Sequence, residues 1–126
     1  MSESIQLNIP TIDAKHDEFL ELLEKIKKAD KNSFHTLFQE MIEHTKEHFS
    51  YEESLMDKYE FYGKSEHIEE HHKLLEEMEY FYEKSQKMMM FGKSYINDYA
   101  HEKFYRHIIN IDSQFAMFLK GKNISL

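Results

Sequence analysis

The sequence predicts an all-α protein, an antiparallel up-down-up-down four-helix bundle. Three observations lead there. Apolar residues recur with helical 3, 4, 7 spacing in four separate runs; no stretch alternates with the period of a strand; and only three Gly and one Pro interrupt 126 residues, each where the helical pattern pauses. With 40% hydrophobic residues, a chain of this size suits one compact domain with one core. The expected layout is an arm at about 1–10 and helices at about 11–28, 33–60, 65–90 and 94–120, joined by short connections of the kind that link antiparallel neighbours.

Ile9-Pro10 precedes the first run, in which Ile12, His16, Phe19, Leu20, Leu23 and Ile26 share one face. His16 therefore lies on the stripe that faces the core. The polar segment KKADKN, from Lys27 to Asn32, breaks the pattern, and Asn32 or Ser33 can cap the next helix. In the second run the inward face takes Phe34, Leu37, Phe38, Met41, Thr45, His48, Glu52, Leu55 and Tyr59 before Gly63, so it carries a histidine and a carboxylate. The third starts near Ser65, sets His67, His71, Leu74, Met78, Phe81 and Ser85 on one side, and ends in the Met88 to Met90 run before Gly92. Those methionines suit adaptable packing at a bundle end. From Ser94 the fourth carries Ala100, Phe104, Ile108, Ile111, Phe115 and Phe118 to Lys120, and Gly121 closes it. YGKS at Tyr62 and FGKS at Phe91 lack the earlier glycine of a phosphate-binding loop and read as helix stops followed by helix starts.

Composition narrows the function. Sixteen Lys and Arg stand against 24 Asp and Glu, for a formal charge of −8. No basic block is present, which argues against nucleic acid and anionic membrane surfaces as partners. Without cysteine there are no disulfides, thiolate zinc sites or cysteine-held iron–sulfur clusters, and His, Asp and Glu remain as metal ligands. The first residues, MSESIQLNIP, have no basic segment followed by an apolar run, and no window approaches the roughly 18 apolar residues of a membrane span. A soluble, cytoplasmic protein is expected.

The chemistry concentrates in a few pairs. Residues four apart on a helix differ by about 40° in direction and about 6 Å in height, so both reach one point beside the axis. His48 with Glu52 and His67 with His71 have this spacing. Burying several imidazoles and carboxylates without partners costs on the order of 1–3 kcal/mol for each unsatisfied group, and a shared cation removes most of that penalty. His107 and Asp112 are five apart, about 140° around an ideal helix. Either they reach inward past the apolar row from opposite edges, or a local bulge brings them together.

IPTIDAKH ending at His16, HFSYEESLM from His48, HIEEH from His67 and HIINID from His107 together resemble the hemerythrin family, most closely its single-domain bacterial form, over nearly the whole chain and in the family's order. The resemblance implies a non-haem di-iron centre, ferrous or ferric, with a bridging oxo or hydroxo group, that binds dioxygen reversibly without acting as an enzyme. Residue by residue it implies that His67, His71 and His107 hold one iron, His16 and His48 the other, and that Glu52 and Asp112 bridge both. One coordination position then stays open on the iron with two histidines. It further implies an apolar oxygen pocket of Phe49, Leu74, Phe104 and Ile108. Many members carry tryptophan on the last helix; this chain has none, and that position is Lys103.

Other patterns explain less. HIEEH fits the H-x-x-E-H of inverted zinc peptidases with Glu70 as base, and Glu69 with His72 gives a single E-x-x-H where a ferritin-like oxidase needs two; both leave most of the seven residues unused. A bundle without metal would have to bury all seven for packing alone. His35, His72 and His101 read as surface or packing groups, and His44 as an outer or surface residue, with adventitious metal binding as its alternative. Within the family reading the role divides among oxygen storage, delivery to an oxygen-consuming partner protein, sensing, and an enzymatic use of oxygen, peroxide or nitric oxide.

Overall fold

A computed structural model describes Leu7 and residues 9–124; most of the arm expected at 1–10 lies outside the described residues. The described residues are all-helical, with no strand, and form four rods. The first three are α1 (Pro10–Lys27), α2 (Phe34–Lys58) and α3 (Lys64–Lys87). The fourth is composite: α4 (Met89–Ser94), a π-helical turn (Tyr95–Tyr99), α5 (Ala100–His107), a second π-helical turn (Ile108–Asp112) and α6 (Ser113–Gly121). α2 packs on α1 and on α3, and the fourth rod touches both α1 and α3.

Local chemistry explains where the rods begin and end. Pro10 opens α1, where its missing N–H has no helical partner to lose. The Asp13 carboxylate then accepts the N–H groups of Leu7 at 2.8 Å and Ile9 at 3.1 Å, folding the incoming chain onto the first turn. Ahead of α2, neither Asn32 nor Ser33 acts as the expected side-chain cap. Asp30 instead accepts the backbone N–H of both, at 3.0 and 2.9 Å, and the Ser33 hydroxyl at 2.8 Å, an Asx turn that uses the hydroxyl the cap would have needed.

α2 stops in a Schellman arrangement: Phe61 N–H reaches Met56 C=O at 2.9 Å and Glu60 N–H reaches Asp57 C=O at 3.3 Å. The left-handed residue is Glu60, with φ of 53°. The last rod ends the same way, with Ile124 N–H on Leu119 C=O at 2.9 Å and Asn123 at φ 57°. None of the glycines has positive φ, so the expectation that Gly121 closes the last helix is corrected: Asn123 does it.

The third boundary also moves. α3 ends at Lys87 instead of running to 90, a single extended residue, Met88, makes the corner, and the next helix starts at Met89 instead of 94. Gly92 therefore sits inside α4. Its use is close approach, since a Cβ there would lie 2.4 Å from Ser85 Cβ and 3.1 Å from Phe34 Cε2.

Two apolar clusters fill the interior. One gathers Phe19, Leu23, Phe38, Met41, Ile96 and Phe104, the other Ile12, Met56, Phe61, Phe115 and Leu119. On each rod buried polar residues fall in sequence between contributors to the two: His16 between Ile12 and Phe19, His48 and Glu52 between Ile42 and Leu55, His67 and His71 between Phe61 and Met78, and His107 and Asp112 between Phe104 and Phe115. Local periodicity thus delivers a polar belt held between two dry cores.

Two stability measurements check this description. Glu60→Gly removes a left-handed strain of roughly 1 kcal/mol and raises Tm in thermal unfolding. Gly92→Ala gains up to about 1 kcal/mol of helix propensity but forces α4 off Ser85, a rigid Cβ contact; overpacking of this kind costs roughly 1–3 kcal/mol, so Tm falls. An unchanged Tm for Gly92→Ala contradicts the close approach.

Candidate metal centre

All seven residues singled out in the sequence meet in the belt, and none is more than 4% exposed: His16, His48, Glu52, His67, His71, His107 and Asp112. α1 supplies the first, α2 the next two, α3 His67 and His71, and the fourth rod the last pair. The five-residue spacing of that pair is resolved by a bulge. Residues Ile108–Asp112 form a π-helical turn, whose i→i+5 hydrogen bonding brings positions five apart into near register. His107 Nε2 consequently lies 3.0 Å from Asp112 Oδ1.

The two carboxylates divide their oxygens. Glu52 turns Oε1 toward His67 at 3.3 Å and His71 at 3.2 Å, and Oε2 toward His48 at 2.5 Å and His16 at 3.9 Å. Asp112 turns Oδ1 toward His67 at 2.9 Å and His107 at 3.0 Å, and Oδ2 toward His16 at 2.9 Å. The donors thereby sort into two groups sharing a carboxylate: Glu52, His67, His71, His107 and Asp112 in one, and His16, His48 and Glu52 in the other, with the atoms of each group within 4.8 Å of one another.

Proximity is not the same as hydrogen bonding here. Glu52 Oε1, His67 Nε2, His71 Nε2, His107 Nε2 and Asp112 Oδ1 are all buried without a hydrogen-bond partner, although they approach within 2.9–3.3 Å. These atoms gather within 4.8 Å of one another instead of pairing off. Each such group costs about 1–3 kcal/mol if left so, and a cation in their midst satisfies all of them together. Nitrogen and oxygen donors without thiolate suit a hard or borderline ion, iron among them. The residues present therefore fit a metal centre.

Electrostatics agrees. Burial works to lower the His67 pKa, yet the close carboxylates of Asp112 and Glu52 outweigh it and push it up to about 9. For His16 burial again opposes, and Asp112 prevails to raise it. Burial works to raise both carboxylates, and for Glu52 the charge of Asp112 adds to it, but the surrounding histidines, His48 for Glu52 and His107 for Asp112 foremost, hold both well below the ordinary carboxylate range.

Aromatic rings wall the belt. Phe49 stacks flat on His71, ring centroids 3.7 Å apart and planes 5° from parallel, and Phe104 meets His16 edge-on at 5.5 Å. Beside them is a void of about 10 Å³ lined by Phe49, Leu74 and Phe104 together with Phe19, Thr45 and Met78 among others. Three of the four expected pocket residues are in that lining; Ile108 is not, and is instead fully buried in the adjoining apolar cluster. On the outer side, a groove of about 370 Å³ between α3 and the fourth rod is lined by Glu70, Leu74, Glu77, Lys103, Arg106 and His107, among others. Leu74 and Lys103 line both spaces.

The remaining histidines stand apart. His44 pairs with Glu18 at 2.9 Å on the surface and His35 contacts the Ser85 carbonyl at 3.0 Å. His72 and Glu69 are exposed, which removes the ferritin-like pattern from the interior, and Glu70 faces the groove outside both donor groups. One residue escaped the sequence reading: Glu53, whose Oε2 accepts a hydrogen bond from His71 Nδ1 at 2.8 Å. The available signal was the Glu52-Glu53 doublet in HFSYEE.

Fold and site together define a helical domain with a buried cluster of imidazoles and carboxylates that fits a cation. The family model for the hemerythrin HHE cation binding domain matches residues 7–119, and the chain belongs to the hemerythrin family. No curated protein and no solved structure matches it. Among the described residues no helix is long and apolar enough to cross a membrane.

The raised His67 pKa sets a pH dependence. A group whose folded pKa exceeds its unfolded value stabilises the fold fully below the unfolded value, near 6.5, and that contribution is lost as pH rises through about 9. The metal-free protein should lose Tm across this window, and metal binding at pH 8 should release about one proton as His67 sheds it. Calorimetric titration in buffers of different ionisation enthalpy measures the release; none at pH 8 contradicts a protonated His67 beside the two carboxylates.

Proposed function

We propose that this protein binds dioxygen reversibly at a non-haem di-iron centre with a bridging oxo or hydroxo group, for oxygen storage, delivery or sensing. The observation that carries the reading is the division of each carboxylate between two groups of histidines, Oε1 and Oδ1 toward the three, Oε2 and Oδ2 toward the two. A lone ion would leave half of that arrangement unused, whereas a pair of ions would share Glu52 and Asp112. His67, His71 and His107 would hold one iron and His16 and His48 the other. When bound, the iron pair supplies an open coordination position and the electrons that reversible oxygenation draws on.

The chain's own residues would bind, orient and exclude water. Phe49 and Phe104 press against ligand imidazoles, and with Leu74 they make the inner void largely apolar, which disfavours water and escape of a charged oxygen species. Tyr95 also lines that void, but burial and the nearby charge of Glu77 push its phenol pKa up, so it holds its proton. Lys103 is engaged with Glu77 at 3.1 Å. The scarcity of ready proton donors at the void supports binding over turnover.

One domain with up-down-up-down rods belongs to the same proposal. The connection from α1 to α2 covers residues 28–33, which spans roughly 20 Å at full stretch, whereas α2 is about 37 Å long. Returning the chain to the same end for a parallel neighbour needs more residues than this, so the spacing supports antiparallel neighbours.

Metal analysis after anaerobic loading with ferrous iron should find two irons per chain. On exposure to air the protein should gain charge-transfer absorption in the near ultraviolet and visible, and lose it under argon. A colourless protein that holds two irons overturns the oxygen-binding reading.

A further inference from the structure

We propose that Glu53 is a positioning residue for the metal centre, gripping His71 from behind so that the ion on the three-histidine side is held more tightly than its neighbour. The inference rests on the reading of the belt as a two-metal site. Successive glutamates of α2 take the two nitrogens of one imidazole: Glu52 Oε1 lies 3.2 Å from His71 Nε2, and Glu53 Oε2 lies 2.8 Å from His71 Nδ1. The same helix supplies Phe49, one turn before Glu53, stacked on the face of that ring. His71 is thus held at its face and at the edge away from the metal by two side chains spaced i, i+4 on one rod.

Other histidines of the centre are treated differently. The Nδ1 atoms of His16, His67 and His107 are buried without a hydrogen-bond partner among the described residues, so the carboxylate behind His71 marks out one ligand. Its consequence is chemical. A carboxylate on Nδ1–H keeps the proton there, leaves the Nε2 lone pair free for a metal, and makes that nitrogen a stronger donor. Glu53 is itself 30% exposed, so its substitution opens no cavity in the core and the ligand effect is separable from packing.

Cobalt(II) titration of the full-length metal-free protein, Glu53→Ala and Glu53→Gln tests this. Affinity is read by competition with a chelator, and the ring N–H protons of the cobalt-loaded forms by proton NMR. In Glu53→Ala one of the two sites should weaken about 10- to 100-fold while the other keeps its affinity, and the His71 N–H resonance, sharp in the parent, should broaden through solvent exchange. Glu53→Gln, which retains an acceptor oxygen without the charge, should fall between the two. Equal weakening of both sites in step with a lower metal-free Tm assigns Glu53 a merely structural part and overturns the proposal, as does unchanged affinity in Glu53→Ala. If the parent binds no cobalt, the two-metal reading itself fails and takes this inference with it.

Discussion

Everything in this structure is arranged around the cost of keeping polar atoms dry. Five imidazoles and two carboxylates occupy the middle of a bundle whose two ends are packed with Phe, Leu, Ile and Met. Five of their donor atoms have no hydrogen-bond partner. Buried groups of that kind are tolerated only where something else satisfies them, and here they share a focus. The carboxylates hold their charge because the histidines surround them, and His67 is drawn toward the charged form for the same reason. Belt and cation site are one feature seen from two directions.

The rods supply what the belt needs in different ways. α2 and α3 offer i, i+4 pairs, the cheapest way for a helix to aim two side chains at one point. The fourth rod departs from α-helical geometry twice, and the second departure, at Ile108–Asp112, lies where a regular helix would have swung Asp112 away from His107. A π-helical turn gives up some hydrogen-bond quality for register. Its placement at the site follows the general tendency of such turns to accompany function.

Support for the ligands is unequal around the centre. His71 has a ring on its face and a carboxylate behind it, while His16 meets only the edge of Phe104 and a tilted His48 among the aromatic rings. Both sides border the apolar void, that of His71 through Phe49 and that of His16 through Phe104.

Much of this was legible from residue order. The four apolar runs located the rods because the period of a helix is local, and i, i+4 spacing exposed His48 with Glu52 and His67 with His71 for the same reason. Corners were read less well: Gly92 looked like a stop because glycine usually is one, but only the packing of α4 against Ser85 and Phe34 shows that it is there for want of a Cβ. Glu53 escaped notice because a helix position tells which way a side chain leaves its own axis and not what waits on the neighbouring rod. The sequence by itself determined the all-helical class and the two i, i+4 pairs of the belt, since both depend on spacing along one axis, while His16, His107 and Asp112 were singled out by family resemblance. Only the tertiary structure decided how the carboxylate oxygens divide, that a bulge joins His107 to Asp112, and which imidazole has an acid behind it, because each is a distance between atoms on different rods or across a break in helical register.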